Sequence, residues 1–78
     1  MILLLFDKLD YVIAVAQEQN LTKAAARLYI SQPALTSALN KLESELGVKL
    51  FDRKHSPIRL TAAGNLYIQE MNHIRQLQ

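Results

Sequence analysis

The most regular pattern of apolar positions in this 78-residue chain lies between Ser31 and Gly47. Leucine and alanine recur there at helical spacing and form one apolar stripe, which consists of Leu35, Ala38, Leu39, Leu42 and Leu46. Ser31 is a favourable N-cap, Pro33 suits the first helical turn, and Gly47 suits a left-handed C-cap. The pattern predicts a helix over about residues 31–46.

The opposite side of this central helix is polar but almost uncharged. It carries one cation among hydrogen-bonding side chains, the row being Gln32, Thr36, Ser37, Asn40 and Lys41. A helix that faces only water more often carries paired Glu and Lys. Side chains that both donate and accept hydrogen bonds suit the recognition of base edges in a major groove. This row is the first indication of nucleic-acid binding.

A first helix is predicted from Asp7 to about Gln19, with Asp7 near its start as a cap. Its apolar face consists of Leu9, Val12, Ile13 and Ala16. The apolar residues 1–6 lack a preceding cationic region and are too few to span a bilayer. We therefore expect residues 1–6 to form an arm that packs on the domain.

A short second helix is predicted from the N-cap Asn20 to about Tyr29. Three consecutive alanines keep it slim, so that another helix can approach closely, and Leu28 is expected to be its main core anchor. Residues 29–31 then turn the chain into the central helix. Two short helices joined by so tight a turn are typical of a helix-turn-helix.

Two short apolar runs follow the central helix, at 48–51 and 58–60, and they enclose a basic segment. This pattern predicts a β-hairpin, or wing, over about residues 48–60. His55 is expected to face solvent at its tip. The cations expected to reach phosphates from the wing are Arg53, Lys54 and Arg59.

A fourth helix is predicted from the N-cap Thr61 to the end of the chain. Gly64 is unfavourable inside a helix by roughly 1 kcal/mol relative to alanine, a cost that close packing would explain. One small domain cannot fully cover the apolar stripe of this helix, so we expect it to form an isologous dimer interface. The stripe consists of Leu66, Tyr67, Met71, Ile74 and Leu77.

The net charge of +2 is unevenly distributed. Residues 1–22 hold one cation against three anions, giving −2, whereas residues 23–61 hold seven cations against three anions, giving +4. A polyanionic partner requires such a concentration of positive charge, although a solvated basic surface explains charge alone equally well. The chain has no cysteine and its two histidines lie far apart, so neither a metal nor another cofactor is expected.

The chain resembles the N-terminal DNA-binding domain of LysR-type transcriptional regulators in the segment AVAQEQNLTKAAARLYISQPALTSALNKLESELGVKLFDR, followed by IRLTAAG. The resemblance implies a mainly α fold, namely a winged helix-turn-helix of three helices plus a short β-hairpin over residues 1–60. Residues 61–78 would begin a linker helix that dimerises. The separate C-terminal effector-binding domain of the family would be absent, as in a fragment of a longer chain.

The resemblance also implies roles for individual residues. Ser31 and the backbone at the helix start would contact phosphate, while Gln32 and Pro33 would face bases. Arg53 would approach the DNA backbone or the minor groove. The remaining side chains expected on the DNA side are Thr36, Ser37, Asn40 and Lys41. From the residues alone, Arg53 has an alternative role in a surface ion pair of little energy with Asp52 or Glu45.

The chain departs from the family pattern at two of these positions. Many members carry arginine at the position where this chain has Ser37, and a basic residue at the position where it has Asn40. The absence of these cations should weaken guanine recognition and phosphate attraction. Asn20 also replaces a common serine, a change that preserves capping.

These observations predict sequence-specific binding of double-stranded DNA by a cytoplasmic bacterial transcription regulator. It would be a homodimer through the fourth helix and a tetramer at full length, with a small-molecule effector bound only by the missing domain and no membrane partner. The alternative is a protein-interaction module, which requires an exposed apolar patch on the central helix. An enzyme is not expected, since no nucleophile has a paired base and no glycine-rich phosphate loop occurs.

Overall fold

The chain is described by a computed structural model over residues 2–54 and 56–77, with side chains from residue 8 onward. Its elements in chain order are α1 (Ile2–Glu18), α2 (Leu21–Arg27), α3 (Gln32–Leu46), β1 (Phe51–Asp52), β2 (Arg59–Leu60) and α4 (Ala62–Gln76). Helices α1, α2 and α3 pack against one another around the core, and α4 closes it against α1 and β2. The prediction of a mainly α winged helix-turn-helix with a fourth helix is confirmed.

Helix α1 begins five residues earlier than predicted. Its backbone is helical from Ile2, so Asp7 lies inside the helix rather than at its N-terminus. No proline or glycine interrupts the first eighteen residues, which allows the helix to extend through the apolar run. The prediction of a separate arm over residues 1–6 is therefore wrong for the backbone of residues 2–6, while the packing of their side chains lies outside the described residues. Among the described helices, none combines the length and apolar character of a membrane span.

The helix-turn-helix has the predicted N-cap but ends its first helix early. The Asn20 side chain accepts a hydrogen bond from the Lys23 backbone N–H at 2.8 Å. Tyr29 adopts a left-handed backbone with φ of +59°, which a helix cannot include, so α2 ends at Arg27. The residues of α2 that are buried are Ala24 and Ala25, whereas Leu28 just beyond it is half-buried. Leu28 is thus not the main core anchor, because the close approach of α1 and α3 favours the small alanines.

Helix α3 confirms the predicted caps and the predicted leucine stripe. The Ser31 hydroxyl accepts from the Ala34 N–H at 3.2 Å, and Gly47 at φ of +74° donates its N–H to the Glu43 carbonyl at 2.8 Å. Three leucines of the stripe are at most 2% exposed, and they are Leu35, Leu39 and Leu42. The stripe fixes which side of α3 faces solvent.

The wing is an antiparallel hairpin in which Phe51 pairs with Leu60 and Asp52 pairs with Arg59. Each strand has only two residues, fewer than the apolar runs suggested, so the wing depends on its contacts with the helices. Thr61 supplies one such contact: its hydroxyl accepts from the Gly64 N–H at 3.0 Å and donates to the Lys49 carbonyl at 2.6 Å. The expectation for His55 lies outside the described residues.

The apolar stripe of α4 divides into two faces. Tyr67 is 7% exposed within the core, Met71 packs against that core, and Ile74 is half-buried. Leu66 and Leu77 are 56% and 74% exposed. Successive residues of a helix point about 100° apart, so Leu66 does not share the face of Tyr67. Tyr67 and Met71 therefore complete the core of their own domain, which corrects the expectation of a single dimerisation stripe.

Candidate nucleic-acid interface

The solvent-facing side of α3 presents most of the side chains that the sequence singled out. The exposed ones are Ser31, Gln32, Pro33, Ser37, Asn40 and Lys41, and Thr36 is half-buried beside them. Ser31 uses an oxygen lone pair for the N-cap, so its hydroxyl hydrogen can still be donated to a ligand. The surface therefore offers amides, hydroxyls and one ammonium group from the same helix.

Arg53 reaches from the wing back to α3. Its Nη1 donates to the Asn40 side-chain oxygen at 2.6 Å, and its Nη2 donates to Glu43 Oε1 at 2.8 Å. The alternative prediction, an ion pair of Arg53 with Asp52 or Glu45, is therefore wrong, because Arg53 pairs with Glu43. The Asp52 carboxylate instead accepts from the Lys54 backbone N–H at 3.0 Å, which directs it towards the wing tip. Arg53 thus lies between the wing and the outer surface of α3 with 30% of its side chain exposed.

Glu43 is the functional residue that the sequence analysis missed, since it was counted there only as a negative charge. It is 3% exposed, and its Oε2 accepts from the backbone N–H groups of Leu50 at 2.6 Å and Phe51 at 3.2 Å. Burial of a carboxylate is costly unless it is hydrogen-bonded and paired, and the two N–H groups and Arg53 meet that need. The sequence did contain a signal for this burial, because Glu43 lies four residues after Leu39 and next to Leu42, on the side of the helix that the leucine stripe buries.

The other wing cations are free of such constraints. Lys54 and Arg59 are exposed, and the hydrogen bond described for Lys54 involves only its backbone N–H. Long cationic side chains on an exposed hairpin can reach the phosphates that flank a groove. Within residues 2–54 and 56–77, no cluster of histidines and carboxylates is placed to hold a metal ion.

None of the large exposed apolar side chains lies on α3. The large apolar residues that are exposed in the described part of the chain are Tyr29, Val48, Leu66 and Leu77. A protein-interaction module that docks through α3 would need such a patch on that helix. The polar surface of α3 instead matches the donors and acceptors of base edges.

Comparison with known proteins assigns the family. A sequence model described as bacterial regulatory helix-turn-helix protein, lysR family, matches residues 6–65. The regulator TcbR of Pseudomonas sp. (strain P51) is 44% identical over 72 residues, which are 92% of this chain and 24% of TcbR. ClcR of Pseudomonas putida is 46% identical over 69 residues, which are 88% of this chain and 24% of ClcR. The chain thus spans about a quarter of the length of these curated relatives.

The fold is also similar to a solved protein–DNA complex. The crystal structure of a CbnR DBD–DNA complex aligns with a TM-score of 0.82 and 44% sequence identity, covering 92% of this chain and 83% of that one. The similarity in sequence and the similarity in fold each extend over 92% of this chain. The protein therefore belongs to the lysR family of bacterial regulatory helix-turn-helix proteins.

Proposed function

We propose that this chain is the DNA-binding part of a bacterial transcription regulator and that α3 enters the major groove. The observation that carries the proposal is the outer surface of α3, where exposed amides and hydroxyls stand opposite a buried leucine stripe. Such groups can donate to and accept from base edges. The solved complex of the related CbnR DBD with DNA supports DNA binding by this chain.

The wing supplies the electrostatic part of this function. Lys54 and Arg59 are exposed cations on a hairpin beside α3, and Lys41 is a third on the helix itself. Neutralisation of phosphates by such cations releases counterions and gives affinity that depends little on sequence. Base choice would therefore come from the start and middle of α3, and general affinity from the wing.

The remaining parts of the proposal concern the whole protein. Residues 1–60 would form the DNA-binding domain, and residues 61–78 would begin a linker that leads to an effector-binding domain. Curated relatives are named transcriptional regulators, which supports regulation rather than catalysis. The regulator would act on DNA in the bacterial cytoplasm, as a dimer or tetramer whose effector binds outside this segment.

The test of DNA binding is a salt titration followed by a selection. Fluorescence anisotropy with a labelled random duplex should give binding at low salt whose log K falls linearly with log salt. Selection from a random duplex library should then enrich a sequence that binds more tightly than its scrambled form at one salt concentration. Gln69→Ala, on the exposed side of α4, is the control that should leave both results unchanged. No binding at low salt, or no enriched sequence, would contradict the proposal.

Dimerisation is proposed through the exposed face of α4, centred on Leu66 and Leu77. Two copies related by a two-fold axis would place two α3 helices at half-sites about one helical turn, or a multiple, apart. Sedimentation velocity over a concentration series should show association that Leu66→Lys abolishes. Asn65→Lys adds the same charge at an exposed position of α4 that points about 100° away from Leu66, and it should leave association intact. Equal loss in both variants would contradict this interface.

A further inference from the structure

We propose that Asn40 contacts DNA through its NH₂ group, because Arg53 of the wing binds its side-chain oxygen. The inference rests on the proposed function and deepens it by naming the chemistry of one contact. The group facing Asn40 would be an acceptor, such as guanine N7 or O6, rather than the mixed edge of adenine. The wing would thereby set the base preference of α3.

The hydrogen bond from Arg53 fixes the orientation of the Asn40 amide. Arg53 Nη1 lies 2.6 Å from Asn40 Oδ1. A guanidinium has only donors, so the amide nitrogen cannot take the place of the oxygen in this contact. The Asn40 NH₂ group is consequently the free end of an exposed side chain, and it donates to no other residue in the described part of the chain.

The position of Arg53 is maintained from the protein interior. Its Nη2 donates to Glu43 Oε1 at 2.8 Å, and that carboxylate is 3% exposed. Departure of Arg53 would leave a buried charge without its ion-pair partner, which is strongly unfavourable. Glu43 also binds the backbone of β1 through Leu50 and Phe51, so the carboxylate itself is fixed. Glu43 is thus a positioning residue for Arg53, and Arg53 for Asn40.

The chemistry of the bases decides what this arrangement can bind. Asparagine contacts adenine in the major groove through both its oxygen and its nitrogen, which accept from N6 and donate to N7. Arg53 takes one of the two lone pairs of the Asn40 oxygen, and its positive charge and donor hydrogens beside the other lone pair oppose the approach of the adenine N6 donor. Guanine presents two acceptors, N7 and O6, and the Asn40 NH₂ group and the exposed part of Arg53 both donate. A phosphate oxygen is an acceptor as well, so the two sources must be separated by experiment.

The first experiment locates the acceptor. Duplexes are selected from a random library with the parent chain and with Asn40→Ala, and the base position that loses its preference is the one that Asn40 faces. We expect guanine there, and either 7-deazaguanine, which lacks N7, or 6-thioguanine, in which a weakly accepting sulfur replaces O6, should lower the affinity of the parent chain about fivefold without affecting Asn40→Ala. If no base position loses its preference, single phosphates are replaced by methylphosphonates. A phosphate acceptor is then the one whose replacement weakens the parent chain but not Asn40→Ala. A preference for adenine would overturn the proposal, and so would insensitivity to the two guanine analogues and to every methylphosphonate.

The second experiment tests the role of the wing. Arg53→Lys keeps the charge but loses the planar fork that holds Asn40 and Glu43 together. The freed amide should then accept adenine at the same position, whereas Lys54→Ala should weaken binding to all duplexes and keep the guanine preference. Circular dichroism confirms that each variant is folded. An unchanged base preference in Arg53→Lys would overturn the coupling.

A measurement without DNA separates this inference from the proposed function. In the free protein at low temperature, the Arg53 Nη hydrogens should give resolved, slowly exchanging NMR signals that Asn40→Ala weakens. Signals like those of the exposed Arg59 would overturn the proposal. Protected signals combined with failure to select any duplex would overturn the proposed function and, with it, the DNA role of Asn40.

Discussion

Gly64 of α4 lies directly against the backbone carbonyl of Leu50, so that the helix has no room for a Cβ at this position. A Cβ there would also stand 2.8 Å from Leu60 Cδ2, well inside van der Waals contact. The first turn of α4 is joined to the same segment by the Thr61 N–H, which donates to the Leu50 carbonyl at 2.9 Å. Close packing of α4 on the base of the wing thus explains a glycine that is unfavourable for a helix.

Gly64→Ala should therefore destabilise the domain although alanine is the better helix former. The gain in helix propensity is about 1 kcal/mol, whereas overpacking against a backbone carbonyl costs about 1–3 kcal/mol and cannot be relieved by a rotamer change. A backbone carbonyl cannot move aside easily, so we place the overpacking cost at the upper end of this range and expect a net loss of about 1–2 kcal/mol in urea unfolding. Asn65→Ala, at the next and exposed position, is the control and should be neutral or slightly stabilising. Equal stabilities of the two variants would rule out the packing explanation.

Glu43→Ala should cost far more than the same change at the neighbouring acidic position. Removal of the buried carboxylate leaves the N–H groups of Leu50 and Phe51 and the guanidinium of Arg53 without their partner. Loss of one partner of a buried pair costs about 3–5 kcal/mol, a large part of the stability of a domain this small. Glu45→Ala, which is exposed, should change the free energy of unfolding by less than about 0.5 kcal/mol. Similar losses in the two variants would show that Glu43 does not anchor the wing.

Burial raises the pKa of Tyr67 from its ordinary value of 10.0 to about 12. The folded state therefore keeps a proton that the unfolded state releases between about pH 10 and pH 12, so stability is complete below this window and falls as pH rises through it. A spectrophotometric titration of phenolate absorbance should contain a late step, at about pH 12, that Tyr67→Phe removes. Tyr29→Phe, at a side chain that is 95% exposed, should keep the late step.

Local signals in the sequence predicted most of the fold. Asn20, Ser31 and Thr61 were each expected to be N-caps, and each accepts from an N–H three residues ahead. Such contacts depend on side chains within one helical turn and need no knowledge of the tertiary structure. The C-cap at Gly47 was predictable for the same reason.

Contacts that depend on how elements pack were not predictable. Arg53 and Glu43 are ten residues apart in the chain and meet only because the wing folds back onto α3. The spacing of apolar residues in α4 did not show that Tyr67 faces its own core while Leu66 faces solvent. Both depend on where one element lies against another, which periodicity within an element does not contain.

The structure distinguishes the cations of the wing by whether they are already paired, and this refines the prediction for DNA binding by the wing. Arg53 is already paired with Glu43, whereas Lys54 is exposed with no ion pair in the described part of the chain. Lys54→Ala should therefore reduce the slope of log K against log salt by about 0.9 if one phosphate contact is lost. The fold should be unaffected, since the bond of Lys54 to Asp52 uses the backbone. An unchanged slope would mean that the wing stands clear of DNA.

Gln32 and Lys41 separate two kinds of contact on α3. Gln32 is exposed in the first turn, where a recognition helix enters the major groove, and its amide can bond adenine at N6 and N7. Lys41 is exposed about two and a half turns further along, where a flexible point charge suits a phosphate better than a planar base edge. We expect Gln32→Ala to cost about 1–3 kcal/mol on the selected duplex and to flatten the preference at one base position.

Lys41→Ala should instead weaken binding to the selected and the scrambled duplex alike, because a phosphate contact carries no base information. Neither side chain belongs to the buried leucines of α3, and alanine favours the helix, so circular dichroism should show both variants folded. Both are titrated against the two duplexes at one salt concentration, with Gln69→Ala as the matched change of an exposed helical glutamine. Equal losses on both duplexes for Gln32→Ala, or no loss on either, would show that the first turn of α3 does not face the bases.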